Sequence, residues 1–172
     1  IWDLPFGKGR RVNIENPFVN AVAGGWQTSS IFTLQTGFPM TVTNGLDTSG
    51  TGGFFDRPNA TGQDPDLPRG QQDPQRFFNT GAYVVNNIGQ FGNVGRNTLD
   101  SPGIIGWDFS LLKNFNLKSE TRYLQFRFEA FNFPNHPNWG NPNTNVSSGG
   151  FGQITGTRNN MRQLQLGLKL NF

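Results

Sequence analysis

The chain has 172 residues, enough for one domain or a portion of a larger one, and 14 basic against 11 acidic residues leave a net charge of +3. No basic run exceeds Arg10–Arg11, so no nucleic-acid footprint is present, and the absence of Cys excludes disulfides and cysteine metal sites. Only 15% of residues are charged, against about 25% in an ordinary soluble domain, while Gly 23, Pro 11 and Phe 17 promise many turns, few long helices and aromatic strands.

No stretch of 18 apolar residues occurs, so no membrane-spanning helix is expected. The opening IWDLPFGKGR lacks the pattern of a secretory signal. An exported protein needs one, so the reading below expects a C-terminal portion of a longer protein. Ile1 to Leu4 reads as the end of a strand. Residues 5–17 form a short turn, since Pro5, Gly7 and Gly9 set backbone angles that a strand does not take.

A strand is predicted over about 22–42. Val22, Trp26, Phe32, Leu34, Phe38, Met40 and Val42 share one parity, with Ile31 the exception. That span exceeds the usual 3–10 or so residues of a globular strand, and two soluble strands broken near Gly37–Pro39 are the alternative. Residues 43–104 read as a long outer loop rich in Gly and Pro, with Phe77, Phe78, Tyr83, Val84, Val85 and Ile88 as anchors for a small fold. Gly89, Gly92 and Gly95 do not have the spacing of a phosphate-binding or dinucleotide-binding fingerprint, so no cofactor is expected.

Strands at about 105–116 and 122–132 form a hairpin around a turn at 117–120. Trp107, Phe109 and Leu111 alternate with Asp108 and Ser110; Leu124, Phe126, Phe128 and Ala130 alternate with Tyr123, Gln125, Arg127 and Glu129. Pairing Asn116 with Thr121 sets Phe109 against Phe128, Leu111 against Phe126, and Asp108 against Glu129. A slip of two residues keeps the same faces, so the register stays open. Asp108, Arg127 and Glu129 are expected to face a polar lumen as a charge ladder. A hydrolase would need two of these carboxylates in a concave, dry site. The lone His136, between Pro134 and Pro137, supports neither a triad nor a metal site, and no enzyme is expected.

Residues 133–156 read as a second outer loop. The last strand is predicted over about 160–172, where Leu164, Leu166, Leu168, Leu170 and Phe172 alternate with Gln163, Gln165, Gly167, Lys169 and Asn171. A tilted membrane strand needs roughly 9–11 residues, and the apolar pattern runs to Phe172. Phe109, Leu111, Phe126, Phe128, Leu164, Leu166 and Leu168 are the candidates for a lipid-facing surface. Trp26, Trp107, Trp139 and Phe131 are candidates for an interface girdle, for packing against loops, or for stacking on sugars. Gln165, Gly167, Leu170 and Phe172 resemble the C-terminal signal of bacterial outer-membrane barrels, which implies recognition by the barrel-assembly machinery.

Long and short connections alternate along the chain. The expected fold is therefore all-β: antiparallel up-and-down strands forming part of a large transmembrane outer-membrane barrel with long outer loops. The motifs Leu4-Pro5-Phe6-Gly7-Lys8-Gly9, Gly25-Trp26-Gln27, Leu34-Gln35-Thr36-Gly37-Phe38-Pro39, Gly92-Asn93, Arg96-Asn97, Lys113-Asn114-Phe115 and Phe126 to Asn132 resemble the C-terminal barrel portion of TonB-dependent receptors. The similarity is greatest to the Oar-like subgroup, with a carboxypeptidase regulatory domain, typical of acidobacteria. The resemblance implies a roughly 22-stranded plugged barrel in the outer membrane of a Gram-negative bacterium. It also implies uptake of a bulky, unidentified ligand with energy from TonB. The plug and the TonB-contacting segment would lie outside these residues. A soluble, non-enzymatic β-rich binding or adhesion module is the alternative.

Overall fold

The structure, a computed structural model, describes residues 1–68, 70–117 and 119–172, with the backbone alone for 119–121. In chain order the elements are β1 (Trp2–Asp3), α1 (Pro17–Ala23), β2 (Trp26–Gln35), β3 (Pro39–Met40), β4 (Asn59–Ala60), a 3-10 turn (Thr80–Ala82), β5 (Tyr83–Val84), β6 (Leu99–Asp100), β7 (Ile104–Leu117), β8 (Ser119–Phe131) and β9 (Gln163–Asn171). They fall into two compact units. One holds residues Ile1–Leu34, Ile105–His136 and Asn160–Phe172; the other holds Gln35–Ile104 and Pro137–Asn159.

The first unit is a sheet of five strands in the order β1-β2-β7-β8-β9. The pairs β7–β8 and β8–β9 are antiparallel, and the sheet does not close on itself. It is the open, antiparallel, mostly β architecture of successive up-and-down strands. In the hairpin, Phe109 lies opposite Ala130, Leu111 opposite Phe128 and Asn116 opposite Tyr123. The register is two residues from the one that sets Asn116 against Thr121, and the faces are unchanged because side chains repeat every second residue. The strands meet almost without a turn. Leu117 pairs with Ser119 after an irregularity at Asn116/Leu117, and Ser119 and Glu120 belong to β8. Lys118, also assigned to the turn, lies outside the described residues. Residues 160–162 precede β9 and are not strand.

The single strand expected over 22–42 is three elements. Residues Pro17–Ala23 are helical because Asn16 Oδ1 accepts from the amides of Phe18 (3.0 Å) and Val19 (3.3 Å), while Pro17 fits the first turn. Gly25, at φ 71°, then turns the chain into β2. After Gln35, residues Phe38, Met40 and Val42 belong to the second unit. Val22 is therefore on a helix, and the parity it shares with Trp26 is coincidental. The turn region 5–17 is held by its own backbone, Gly7 N to Val12 O at 3.1 Å and Val12 N to Pro5 O at 2.8 Å.

The second unit replaces the expected pair of separate loops. Its core is Val42, Phe77, Phe78, Ala82, Tyr83, Val94, Leu99 and Ile154, with Met40, Trp139, Val146 and Phe151 packed against it. Phe78 meets Phe151 and Tyr83 edge-on, with centroids 5.1 and 6.1 Å away. Burial raises the pKa of the Tyr83 hydroxyl. Of the expected anchors, Phe77, Phe78 and Tyr83 are buried, but Val84 and Ile88 point to solvent and Val85 is half-buried. Residues from both loops complete this core, so neither folds as a separate hydrophobic unit. Backbone bonds also join them: Val146 N to Thr43 O at 2.9 Å, Phe77 N to Gly152 O at 3.0 Å and Ile154 N to Pro74 O at 2.7 Å.

Two of the motif residues explain themselves here. Asn93 ties itself to the segment at Asn59–Ala60: its Oδ1 accepts from Ala60 N at 2.8 Å, and its N–H donates to Asn59 Oδ1 at 3.1 Å. Gly92 lies so close to the carbonyls of Arg57 and Pro58 that a Cβ would collide with them. Gly92→Ala is expected to destabilise this unit by about 1–3 kcal/mol, the ordinary cost of overpacking. Amide exchange at Val94, whose N–H bonds to Pro58 O, is the readout; unchanged protection there would contradict the close approach.

Candidate functional site: a sheet with two unlike faces

The register places the apolar residues of three strands in rows. Phe115, Leu124 and Leu170 form one row; Lys113, Phe126 and Leu168 the next; Leu111, Phe128 and Leu166 the third; Phe109, Ala130 and Leu164 the fourth. Phe109, Leu111, Phe126, Phe128, Leu164, Leu166 and Leu168 thus share one face of the sheet. Leu164, Leu166, Leu168 and Leu170 are 62%, 71%, 71% and 56% exposed. A contiguous apolar patch of this kind is rare on a water-soluble monomer.

Aromatic groups mark both ends of this face. At one end Trp107 stacks on Phe32 with centroids 4.9 Å apart, and Phe109 and Phe133 join them. At the other, Trp26 meets Phe126 edge-on at 6.0 Å. Trp107 and Phe115 are eight residues apart on β7, or roughly 26 Å at about 3.3 Å per residue. A strand tilt of about 40° reduces that to about 20 Å, against an apolar band of about 25 Å in outer-membrane barrels. The other two girdle candidates sit elsewhere. Trp139 packs on Phe77 in the second unit's core, and Phe131 is on the polar face of β8.

One polar residue breaks the apolar rows. Lys113 is 3% exposed, and its Nζ donates to Gly24 O at 2.6 Å and Val22 O at 3.0 Å. The ammonium also lies over the rings of Trp26 and Phe115, at 5.2 and 5.0 Å. The residue-type reading passed over it. The signal was its parity, which it shares with Trp107, Phe109 and Leu111, so a charge stood at an apolar position.

The opposite face is polar. Gln125 Nε2 donates to Asn114 Oδ1 at 3.0 Å across the hairpin, and Arg127 and Glu129 form an ion pair at 3.7 Å along β8. Gly167 lies opposite Arg127 and Gln165 opposite Glu129. Together with Gln125 and Lys169 they border an open cleft of about 310 Å³. Asp108 shares this face but does not lie opposite Glu129, which pairs with Ser110. Its Oδ1 accepts from Asn132 N at 2.9 Å, where Asn132 adopts φ 50° at the end of β8. Asp108 thus holds the strand's exit, and the ladder reduces to Arg127 and Glu129. Asp108 and Glu129 border a smaller cleft of about 120 Å³ with Ser29, Ile31 and Ser110. The peptide group of His136 is bonded to the Asn132 side chain, with His136 N donating to Asn132 Oδ1 at 3.0 Å.

The terminal motif divides between the faces. Gln165 and Gly167 lie on the polar side of β9, Leu170 lies opposite Leu124, and Phe172 follows the last paired residue and is 94% exposed. In the second unit, Asp56 fastens the segment 47–56. Ser49 N donates to its Oδ2 at 2.7 Å and Ser49 Oγ to its Oδ1 at 3.0 Å. The Ser49 amide, chiefly, holds the Asp56 carboxyl below its ordinary pKa.

The open antiparallel sheet, apolar on one face and polar on the other, defines a β-barrel wall. Residues 1–165 match the family described as outer membrane beta barrel domain. The chain belongs to that family and is an outer-membrane protein. The final residues, Leu166 to Phe172, lie beyond the matched span. No curated protein and no solved structure matches the chain.

Proposed function

We propose that this chain is the C-terminal barrel portion of an Oar-like, TonB-dependent receptor in the outer membrane of a Gram-negative bacterium, taking up a bulky ligand. The observation that carries the reading is the sheet's two unlike faces, combined with the near-direct joining of β7 to β8 and the long segments that join β2 to β7 and β8 to β9. The ordered series of motifs from Leu4 to Asn132 adds the receptor type. In this reading Phe109, Leu111, Phe126, Phe128, Leu164, Leu166 and Leu168 face lipid. Arg127, Glu129 and Asp108 face the lumen, where a plug would sit. The end with the β7–β8 turn is periplasmic, and residues 43–104 and 133–156 are outer, ligand-contacting segments. The role is transport, with no catalytic residue, metal or cofactor of its own.

The direct test is site-specific cross-linking between TonB and the whole protein in cells. A ligand-dependent cross-link supports energy coupling. Its absence, with the barrel correctly assembled, would sink the TonB reading and leave only an outer-membrane barrel. The assembly signal is tested separately. Deleting Phe172 is expected to reduce sharply the folded, heat-modifiable form in outer membranes. An unchanged yield would remove Gln165, Gly167, Leu170 and Phe172 as a signal for the assembly machinery.

A further inference from the structure

Helix α1 has seven residues and none is buried. Phe18, Val19 and Val22 are 84%, 50% and 72% exposed. At about 100° per residue they share one side of the helix, with Asn20 on the other. A helix this short is unstable alone in water, and none of its residues is buried. Its anchors are polar. Asn20 Oδ1 accepts from Lys8 N at 2.8 Å, Val22 O accepts from Trp26 Nε1 at 2.8 Å, and Lys113 binds Val22 O and Gly24 O.

These bonds fix α1 beside the apolar face, at the end where Trp26 and Phe115 mark its limit. Beside it lies an open cleft of about 430 Å³, bordered by Lys8, Arg10, Asn20 and Lys113, with no carboxylate in its lining among the described residues. Arg10 reaches Asp3 at 3.3 Å on the exposed side, and Lys113 uses two of its three N–H groups on carbonyls. An amphipathic helix with basic residues next to it is the chemistry of a bilayer interface.

We propose that α1 is an interfacial lipid anchor. Phe18, Val19 and Val22 enter the acyl boundary of the inner leaflet, and Lys8 and Arg10 at the mouth of the cleft take the phosphate of an anionic phospholipid, while the buried Lys113 only holds the helix in place. The proposal rests on the apolar sheet face being the lipid-facing one. Exposed apolar side chains on a helix bonded to Trp26 and Lys113 of that face, beside a cleft whose charged lining residues are all basic, are what select lipid as the occupant.

The test uses the whole protein in vesicles of phosphatidylethanolamine and phosphatidylglycerol. Spin labels are placed singly by Phe18→Cys, Val19→Cys, Val22→Cys, Leu168→Cys and Lys169→Cys. The chain has no cysteine of its own. Labels at 18, 19 and 22 are expected to favour oxygen over a water-soluble nickel chelate, as at 168 and unlike 169. If 18, 19 and 22 follow 169 while 168 reports lipid, the anchor is overturned and the barrel orientation stands. If 168 also reports water, the orientation itself fails and the anchor with it. In the doubly substituted Lys8→Gln, Arg10→Gln protein, phosphatidylglycerol retained through purification should fall about tenfold, with phosphatidylethanolamine unchanged. Equal retention would overturn the headgroup site.

Discussion

Leu166→Arg should cost about 2–4 kcal/mol of barrel stability, the penalty for a cation near the mid-depth of a lipid-facing strand. Leu166 lies in one row with Phe128 and Leu111, midway between the aromatic groups at Trp107 and Phe115. On the lipid-facing reading it is therefore as far from either headgroup region as this face allows. Gln165→Arg, one residue away, turns the same charge towards Glu129 on the polar face and should stay within about 0.5 kcal/mol of the parent. Denaturant titration of the whole protein folded into vesicles, followed by the gel shift between folded and unfolded forms, reads both. A tolerated Leu166→Arg paired with a damaging Gln165→Arg would reverse the faces. Equal and small effects would mean that β9 does not cross a bilayer.

Phe78→Ala should remove about 3–5 kcal/mol from the second unit, the range for truncating a buried aromatic. Phe78 is 2% exposed and is among the largest fully buried side chains. Its ring is shared by Tyr83 and Phe151, which come from different segments of the chain. Since whole domains are stable by only about 5–15 kcal/mol, the loss should be visible as a collapse of amide protection. It should appear at Phe77, Val94 and Ile154 together, because these belong to one core. Protection in β7, β8 and β9 should persist. A loss confined to residues near Phe78 would show that the two segments do not share a core after all.

The strands of the sheet were readable because a sheet with one apolar and one polar face writes a period of two into the sequence. In β9 the alternation is unbroken from Gln163 to Asn171, and in β7 and β8 it fixes which residues share a side. It cannot fix the register, since a slip of two residues preserves both faces, and the hairpin lies two residues from the first pairing considered. Helix α1 escaped for a different reason. Its formation depends on the cap at Asn16 and the proline after it, and its apolar residues, Phe18, Val19 and Val22, suit a strand or a helix equally.

The second unit was legible only in its largest anchors. Much of what joins it is side chain to backbone, as at Asn59 and Asn93, or at Thr41, whose Oγ1 accepts from Asn97 N at 3.0 Å. Such bonds obey no period, so a stretch held by them reads as loop. On the polar face, the charges at Arg127 and Glu129 were legible by parity. The capping role of Asp108 was not, because it depends on the left-handed turn at Asn132.

The shared core of the second unit limits how such a protein can diversify. Residues 35–104 and 137–159 both contribute to one hydrophobic cluster and bond to each other at Thr43–Val146, Phe77–Gly152 and Pro74–Ile154. A chimaera that transplants one segment without the other would leave Phe78 and Tyr83 facing a foreign surface. Exchange between related chains should therefore carry the two segments as a linked pair, even though the hairpin of β7 and β8 separates them in the sequence.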